Sequence, residues 1–133
     1  MKTYNIFISH SWSYSDNYTK LVNKFEEIPY FNFKNFSIPK DDPVHVSTDS
    51  ALKTAIKNKI NLCHSIVVLA GVYASYSKWI QEEIEIAVAK GKPIIAIQPW
   101  GAEKTSKFVK DNATIIVGWN AKPIVQAIKD YSL

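Results

Sequence analysis

The sequence predicts an α/β fold: a flavodoxin-like three-layer sandwich around a five-stranded parallel sheet, strand order 2-1-3-4-5. Three observations predict it. Strand-like and helix-like segments alternate along the whole chain. Segments 65–71, 93–99 and 113–119 are continuous apolar runs, as strands covered on both faces must be. The weakest strand, 31–38, belongs at a sheet edge, where this order puts it.

The elements follow in sequence. "TYNIFIS" (3–9) reads as the first strand. In 16–27, Tyr18, Leu21, Val22 and Phe25 recur at helical spacing, with Ser13 or Ser15 available as N-cap. "FNFKNFSI" (31–38) alternates Phe31, Phe33 and Asn35, then shifts to Phe36 and Ile38, a parity break that predicts a bulge or bend. After the turn-rich loop 39–50, Leu52, Ala55, Ile56, Ile60 and Cys63 mark a second helix, capped by Thr48, Asp49 or Ser50. "SIVVLAG" (65–71) is the third strand. The helix after it ends at Gly91, and "PIIAIQP" (93–99) follows. A short helix runs to about Asp111, then "ATIIVGW" (113–119) and a last helix with Asn120 as N-cap and Pro123 in its first turn.

At 133 residues, with no linker or internal repeat, the chain reads as a single domain, 1–133, large enough for its own core. Its 47% hydrophobic and 21% charged residues are globular proportions. The opening apolar run is too short for a secretion signal or a membrane span, and a lone Cys63 suits a reducing compartment. The expected location is therefore the cytoplasm, with no membrane contact. The net charge of +4 comes from sixteen lysines and no arginine, scattered rather than clustered, so nucleic acid is not an expected partner.

In such sheets ligands bind beyond the carboxyl ends of the strands, where segments 9–15, 39–45, 71–77 and 99–104 should meet. Several occupants are excluded. "SHSWSYSD" has no glycine to let backbone N–H groups cradle a phosphate, which removes dinucleotide-fingerprint and Walker-type chemistry. A receiver domain's acidic residues and lysine are replaced by Ser9-His10 and Gly118-Trp119. His10, His45 and His64 lack metal-ligand spacing, and no metal is expected. Cys63 and His64 are adjacent and point about 100° apart on a helix, a poor nucleophile–base pair. No GxSxG elbow is present.

The segment "SKWIQEEIEIAVAK" (77–90) holds Glu82, Glu83 and Glu85. With Ile80 at zero and 100° per residue, Ile84 (about 40°), Val88 (about 80°) and Ala87 (about 340°) form the core stripe. Glu82, near 200°, and Glu85, near 140°, belong to the solvated face. Glu83, near 300°, lies against the stripe, one turn after Trp79. Geometry leaves two readings of it: a boundary glutamate paired to a lysine, or a desolvated carboxylate with a chemical task.

These segments, taken together, resemble TIR domains over nearly the whole chain: "FISHSW" (7–12), "KDDP" (40–43), "VVLAGVYASYSKW" (67–79), and "WIQEE" followed by "GKPIIAI" (91–97). The Trp-x-x-x-Glu spacing of Trp79 and Glu83 is similar to the catalytic helix of TIR domains that cleave NAD+. "SHSW", "PIIAIQPWG" and "VGWN" further resemble the small bacterial TIR-like proteins of Thoeris antiviral defence. The resemblance implies an NAD+ glycohydrolase or cyclase, with NAD+ as substrate and no cofactor, whose nucleotide signal activates a separate effector protein. It implies Glu83 as the catalytic carboxylate. Ser9, His10 and Trp12 would then bind ribose or diphosphate, Tyr73 would stack on a base, and Trp79 would orient Glu83. Asp42 and Pro43 lie in the loop that mediates subunit packing in TIR domains, so self-association through 39–47 is expected. Water capture would give ADP-ribose and intramolecular capture a cyclic product; the sequence leaves both open. Many TIR domains are instead adaptors without catalysis, and a related ribosyl transfer on another nucleotide would use the same carboxylate. The short chain and missing arginine depart from many TIR domains, leaving phosphate contacts to lysines or backbone N–H groups.

Overall fold

The computed structural model describes residues 3–9, 15–36, 49–69, 78–98 and 107–132. Five strands and five helices alternate within them: β1 (Thr3–Ser9), α1 (Ser15–Glu27), β2 (Asn32–Asn35), α2 (Asp49–Asn61), β3 (Ser65–Leu69), α3 (Lys78–Ala89), β4 (Ile94–Ile97), α4 (Lys107–Asn112), β5 (Ile115–Val117) and α5 (Ala121–Tyr131). The sheet is parallel throughout, in the order β2-β1-β3-β4-β5. No helix among the described residues is long and apolar enough to cross a membrane.

Alternation along the strands divides the core into two layers. Phe7, Ile66, Val68, Ile94 and Ala96 face α2, α3 and α4; Ile6, Ile8, Val67, Leu69, Ile95 and Ile97 face α1 and α5. β3 and β4 are buried at every position, which is why they read as unbroken apolar runs. On α1 the predicted core residues Leu21 and Phe25 are fully buried and Val22 partly so. Tyr18 and Leu52 lie on α1 and α2, but their side chains fall outside the described residues.

The described part of β2 carries no bulge: its register with β1 is continuous from Thr3 with Asn32 to Ile6 with Asn35. Residues 37–38, where the predicted bend would continue, fall outside the described residues. Within the described residues the parity break has another cause. Phe31 and Phe33 pack into the α1/α5 layer and Phe36 into the other, so the strand feeds both cores. Phe25, Phe31 and Phe33 lie with ring centroids 5.3 to 5.5 Å apart, and this cluster holds the short edge strand in place.

The C-terminus of α3 follows its sequence signal and the N-terminus of α5 departs from it; the cap candidates of the first two helices, Ser13, Ser15, Thr48, Asp49 and Ser50, fall outside the described side chains. α3 closes in a Schellman turn: the Gly91 N–H reaches Val88 O at 3.0 Å and the Lys92 N–H reaches Ala87 O at 2.9 Å. Gly91 adopts φ 68°, the left-handed conformation that glycine tolerates without strain. Asn120 has the extended backbone of an N-cap, but its side chain makes no capping bond, contrary to expectation.

Candidate active site

Two of the three buried polar residues among those described are Ser9 and Glu83, and they meet. Ser9 is the last residue of β1, and two-residue alternation puts it on the same face as Phe7, beneath α3. Its neighbour across the sheet is Val68 of β3, which in turn pairs with Ala96 of β4. Glu83 comes down onto this floor from the second turn of α3, close to the carboxyl ends of the strands. The Ser9 hydroxyl donates to Glu83 Oε1 at 2.7 Å, with Ser9 at 0% and Glu83 at 6% exposure. Burial pushes the Glu83 carboxyl up from 4.5 to about 8, and the Ser9 hydrogen bond opposes that rise.

Glu83 is buried because α3 is covered on two sides, by α2 and by α4. Ile80, Ile84, Ile86 and Ala87 are all buried, while Val88 is 49% exposed. The buried arc therefore runs from about 240° (Ile86) through 300° (Glu83) to about 40° (Ile84). Glu83 is at its centre, not at its edge, and Val88 does not belong to the core. Glu85 is exposed, as its angle predicts. Glu82 departs from the solvated role: it is half-buried, and Lys53 Nζ of α2 stands 3.2 Å from its Oε2. That oxygen is sealed from solvent and makes no bond of hydrogen-bonding geometry, so the pair acts through charge. A groove of about 420 Å³ between α2 and α3 runs along this flank, lined by Glu82, Glu85, Lys53, Lys57 and Lys90 among others; Glu83 does not line it.

Of the residues expected at the site, the structure brings Ser9 and Glu83 together. Trp79 lies in the first turn of α3, but its side chain falls outside the described residues. His10, Trp12, Asp42, Pro43 and Tyr73 also fall outside them, with most of the four crevice segments. The Ser9 contact itself escapes the sequence, because its partners are 74 residues apart. One signal was available: a serine ending a strand whose same-face neighbour is a core phenylalanine must place its hydroxyl over the buried layer.

Among the described residues, His64 and Cys63 have structural roles. His64 Nδ1 accepts the Asn5 N–H at 2.8 Å, and the His64 N–H donates to Asn5 O at 2.7 Å, which extends the β1–β3 ladder by one step. The neighbouring Cys63 is buried and donates to Lys59 O at 3.2 Å; burial pushes its thiol up to about 12, so it is no nucleophile.

Residues 7–104 match the family described as Thoeris protein ThsB, TIR-like domain. Ser9 and Glu83 both lie inside that span. No curated protein sequence matches the chain. Among solved structures, it is similar to a conserved protein from Enterococcus faecalis V583, with 13% identity and a TM-score of 0.69 over 97% of this chain and 99% of that one. It is also similar to the CMP N-glycosidase BcmB of Clostridium botulinum, with 15% identity and a TM-score of 0.59 over 96% and 99%. At these identities the two structures speak to the fold.

Proposed function

The chain belongs to the TIR-like domain family of Thoeris ThsB proteins, and on that premise we propose that it cleaves the nicotinamide–ribose bond of NAD+ to make an ADP-ribose-type signal, with Glu83 as the catalytic carboxylate. The observation that carries the proposal is a desolvated carboxyl at the carboxyl end of the sheet, held by the Ser9 hydroxyl, on the helix that follows β3.

The chemistry suits such a group. The nicotinamide of NAD+ is cationic and leaves C1′ with the bonding electron pair, becoming neutral, so no acid need protonate it. The ribosyl centre left behind is oxocarbenium-like. A carboxylate fixed beside it in a dry site stabilises the developing charge more than water could, as carboxylates do in glycosidases. Burial keeps Glu83 neutral in the free protein over most of the neutral range. The positive nicotinamide ring then supplies the opposite charge that favours ionisation, so the carboxylate forms when the substrate is present. Water adding to C1′ and losing a proton gives ADP-ribose. Attack by an adenine nitrogen or ribose oxygen of the same molecule, with loss of its proton, gives a cyclic product.

Membership of the Thoeris ThsB family supports a role in antiviral defence. In this reading the product activates a separate effector protein, and self-association through 39–47 completes or gates the site, with Asp42 and Pro43 at the contact. His10, Trp12, Tyr73 and Trp79 would line the substrate pocket around Glu83. The test is nicotinamide release, measured by chromatography, from purified protein incubated with NAD+ alone and with infected-cell lysate. Glu83→Gln, shown to be folded, should release none, while Glu82→Gln and Glu85→Gln stay active. A folded Glu83→Gln that works as fast as the parent sinks the assignment.

A second reading is that the same carboxyl acts on a different N-glycoside. It is favoured by one comparison, the shared fold of a protein named as a CMP N-glycosidase. Cytosine release from CMP in the same assay, without nicotinamide release from NAD+, would select it. No cleavage of either, with a stable partner complex, would select a non-catalytic scaffold.

A further inference from the structure

The Ser9 hydroxyl has a single hydrogen, and the structure commits it to Glu83 Oε1. From this geometry we propose that Ser9 is a positioning residue for Glu83, one that fixes the orientation of the carboxyl and favours its ionised form, rather than a ligand for the phosphates of the substrate. The proposal rests on reading Glu83 as the catalytic carboxylate.

The register of the sheet makes the contact a consequence of the fold. Ser9 pairs with Val68 at the end of β1, and the face it shares with Phe7 is the one α3 covers. Its hydroxyl is fully buried, so it has no solvent partner to exchange for Glu83.

The donor inventory gives the chemical consequence. A hydroxyl offers one hydrogen and two lone pairs. With the hydrogen on Oε1, Ser9 can only accept from anything else. Diphosphate oxygens are acceptors as well, so Ser9 gives them nothing; a ribose hydroxyl, which can donate, remains compatible. Phosphate recognition must then come from other groups.

Among the described residues, Ser9 is the balancing influence. Burial raises the Glu83 carboxyl, and the Ser9 bond is what lowers it. Among the described side chains of the flanking helices, the charged groups are engaged elsewhere or exposed, and Lys59 lies at the far end of α2, beside Cys63. Lys53 of α2 stands on Glu82, Lys57 of α2 is exposed, and Lys107, Lys110 and Asp111 of α4 are exposed. The described strand positions beneath Glu83, Val68 and Ala96, are apolar.

The deciding measurement is the pH dependence of kcat/KM for nicotinamide release in Ser9→Ala and Ser9→Thr. Losing a hydrogen bond to the charged form moves ionisation to higher pH. Ser9→Ala should therefore lose about tenfold or more at pH 7 and recover as the pH passes 9. Ser9→Thr, which restores a hydroxyl, should return toward the parent profile. An equal loss at every pH would show a merely structural role and overturn the proposal. The ratio of kcat/KM for NAD+ to that for nicotinamide riboside, which lacks the diphosphate, should be the same in parent and Ser9→Ala. A selective loss on NAD+ would assign Ser9 to the phosphates instead. A third arm does not need activity. The 13C resonance of the Glu83 carboxyl should titrate at higher pH in Ser9→Ala than in the parent, and an unchanged midpoint refutes the coupling. If the parent releases no nicotinamide, the functional reading fails, and this titration still decides the role of Ser9.

Discussion

The two ends of the sheet bury polar groups in opposite ways. At the amino end three described side-chain hydrogen bonds join neutral groups. Ser132 Oγ donates to the buried Ser65 Oγ at 2.9 Å, His64 exchanges bonds with the Asn5 backbone, and Thr114 Oγ1 accepts the Ile94 N–H at 3.0 Å. His64 and Thr114 supply acceptors to backbone N–H groups that a strand neighbour or water would otherwise satisfy, and the Ser132–Ser65 pair satisfies a buried hydroxyl. At the carboxyl end the fully buried side-chain contact described, Ser9 with Glu83, involves an ionisable group, and burial opposes its charge. The first arrangement involves no buried charge. The second is unfavourable above the ordinary carboxyl range. A group retained where it destabilises points to chemistry rather than architecture.

The largest expected effect separates the two ends at one residue. Glu83→Gln keeps the acceptor for Ser9 but cannot ionise. Nicotinamide release should fall by about a thousandfold or more. Stability should move the other way. The folded carboxyl titrates at about 8 against 4.5 for the ordinary group, so the folded state holds more protons between those values. Folding stability of the parent therefore falls as pH rises from 4.5 and levels off above 8. Glu83→Gln removes that loss. Its advantage, on the order of 4 kcal/mol at pH 8 less the cost of a buried amide N–H₂, should vanish near pH 4. Urea unfolding of both proteins across this range checks it. A variant that is less stable at pH 8 and at pH 4 alike would mean that the carboxylate is paired and structural, and the contrast between the ends would collapse.

The same titration predicts a difference between two kinetic profiles. The free protein governs kcat/KM, which should rise with pH through about 8. In the complex the cationic nicotinamide favours the carboxylate, so kcat should reach its plateau at lower pH. Coincident limbs would remove the substrate from the ionisation of Glu83.

The sequence makes the strand order readable because β3 and β4 are buried at every position and β2 is not. Single side chains are less legible, for a physical reason. A helical wheel gives angles but not how many neighbours cover the helix. α3 lies between α2 and α4, so its buried arc is wide and centred on Glu83, which moves Val88 out and Ile86 in. Glu82 was readable as polar but not as paired, since Lys53 arrives from another helix. Ser9 was readable as a crevice residue, yet its partner depends on which helix crosses β1. Long-range contacts of this sort are set by topology, and only local periodicity is written along the chain.

A smaller effect tests the amino end. Ser65→Ala leaves the Ser132 hydroxyl without its partner and should cost about 1 kcal/mol, with nicotinamide release unchanged. His64→Ala should cost slightly more, about 1 to 2 kcal/mol, because a backbone N–H of β1 loses its acceptor. Denaturant melts and the release assay read both. A tenfold loss of activity in either would show that the two ends are coupled, and that the neutral contacts do more than close the ladder.

The smallest expected effect comes from the turns at that same end, where two residues adopt positive φ. Gly91, at φ 68°, has open space around an added Cβ, so Gly91→Ala tests backbone strain alone and should cost about 1 kcal/mol. Tyr30, at φ 64°, is the mirror case: a non-glycine residue in the left-handed region, 78% exposed. Its ring lies mostly in solvent, so Tyr30→Asn should remove strain and lose little packing, raising stability by about 0.5 kcal/mol. Both changes lie at the far end of the sheet from Glu83 and should leave release of nicotinamide untouched. If Tyr30→Asn instead lowers stability, the ring is packed against something that compensates its backbone. If it lowers activity at unchanged stability, the amino end takes part in function, and the division drawn between the two ends is wrong.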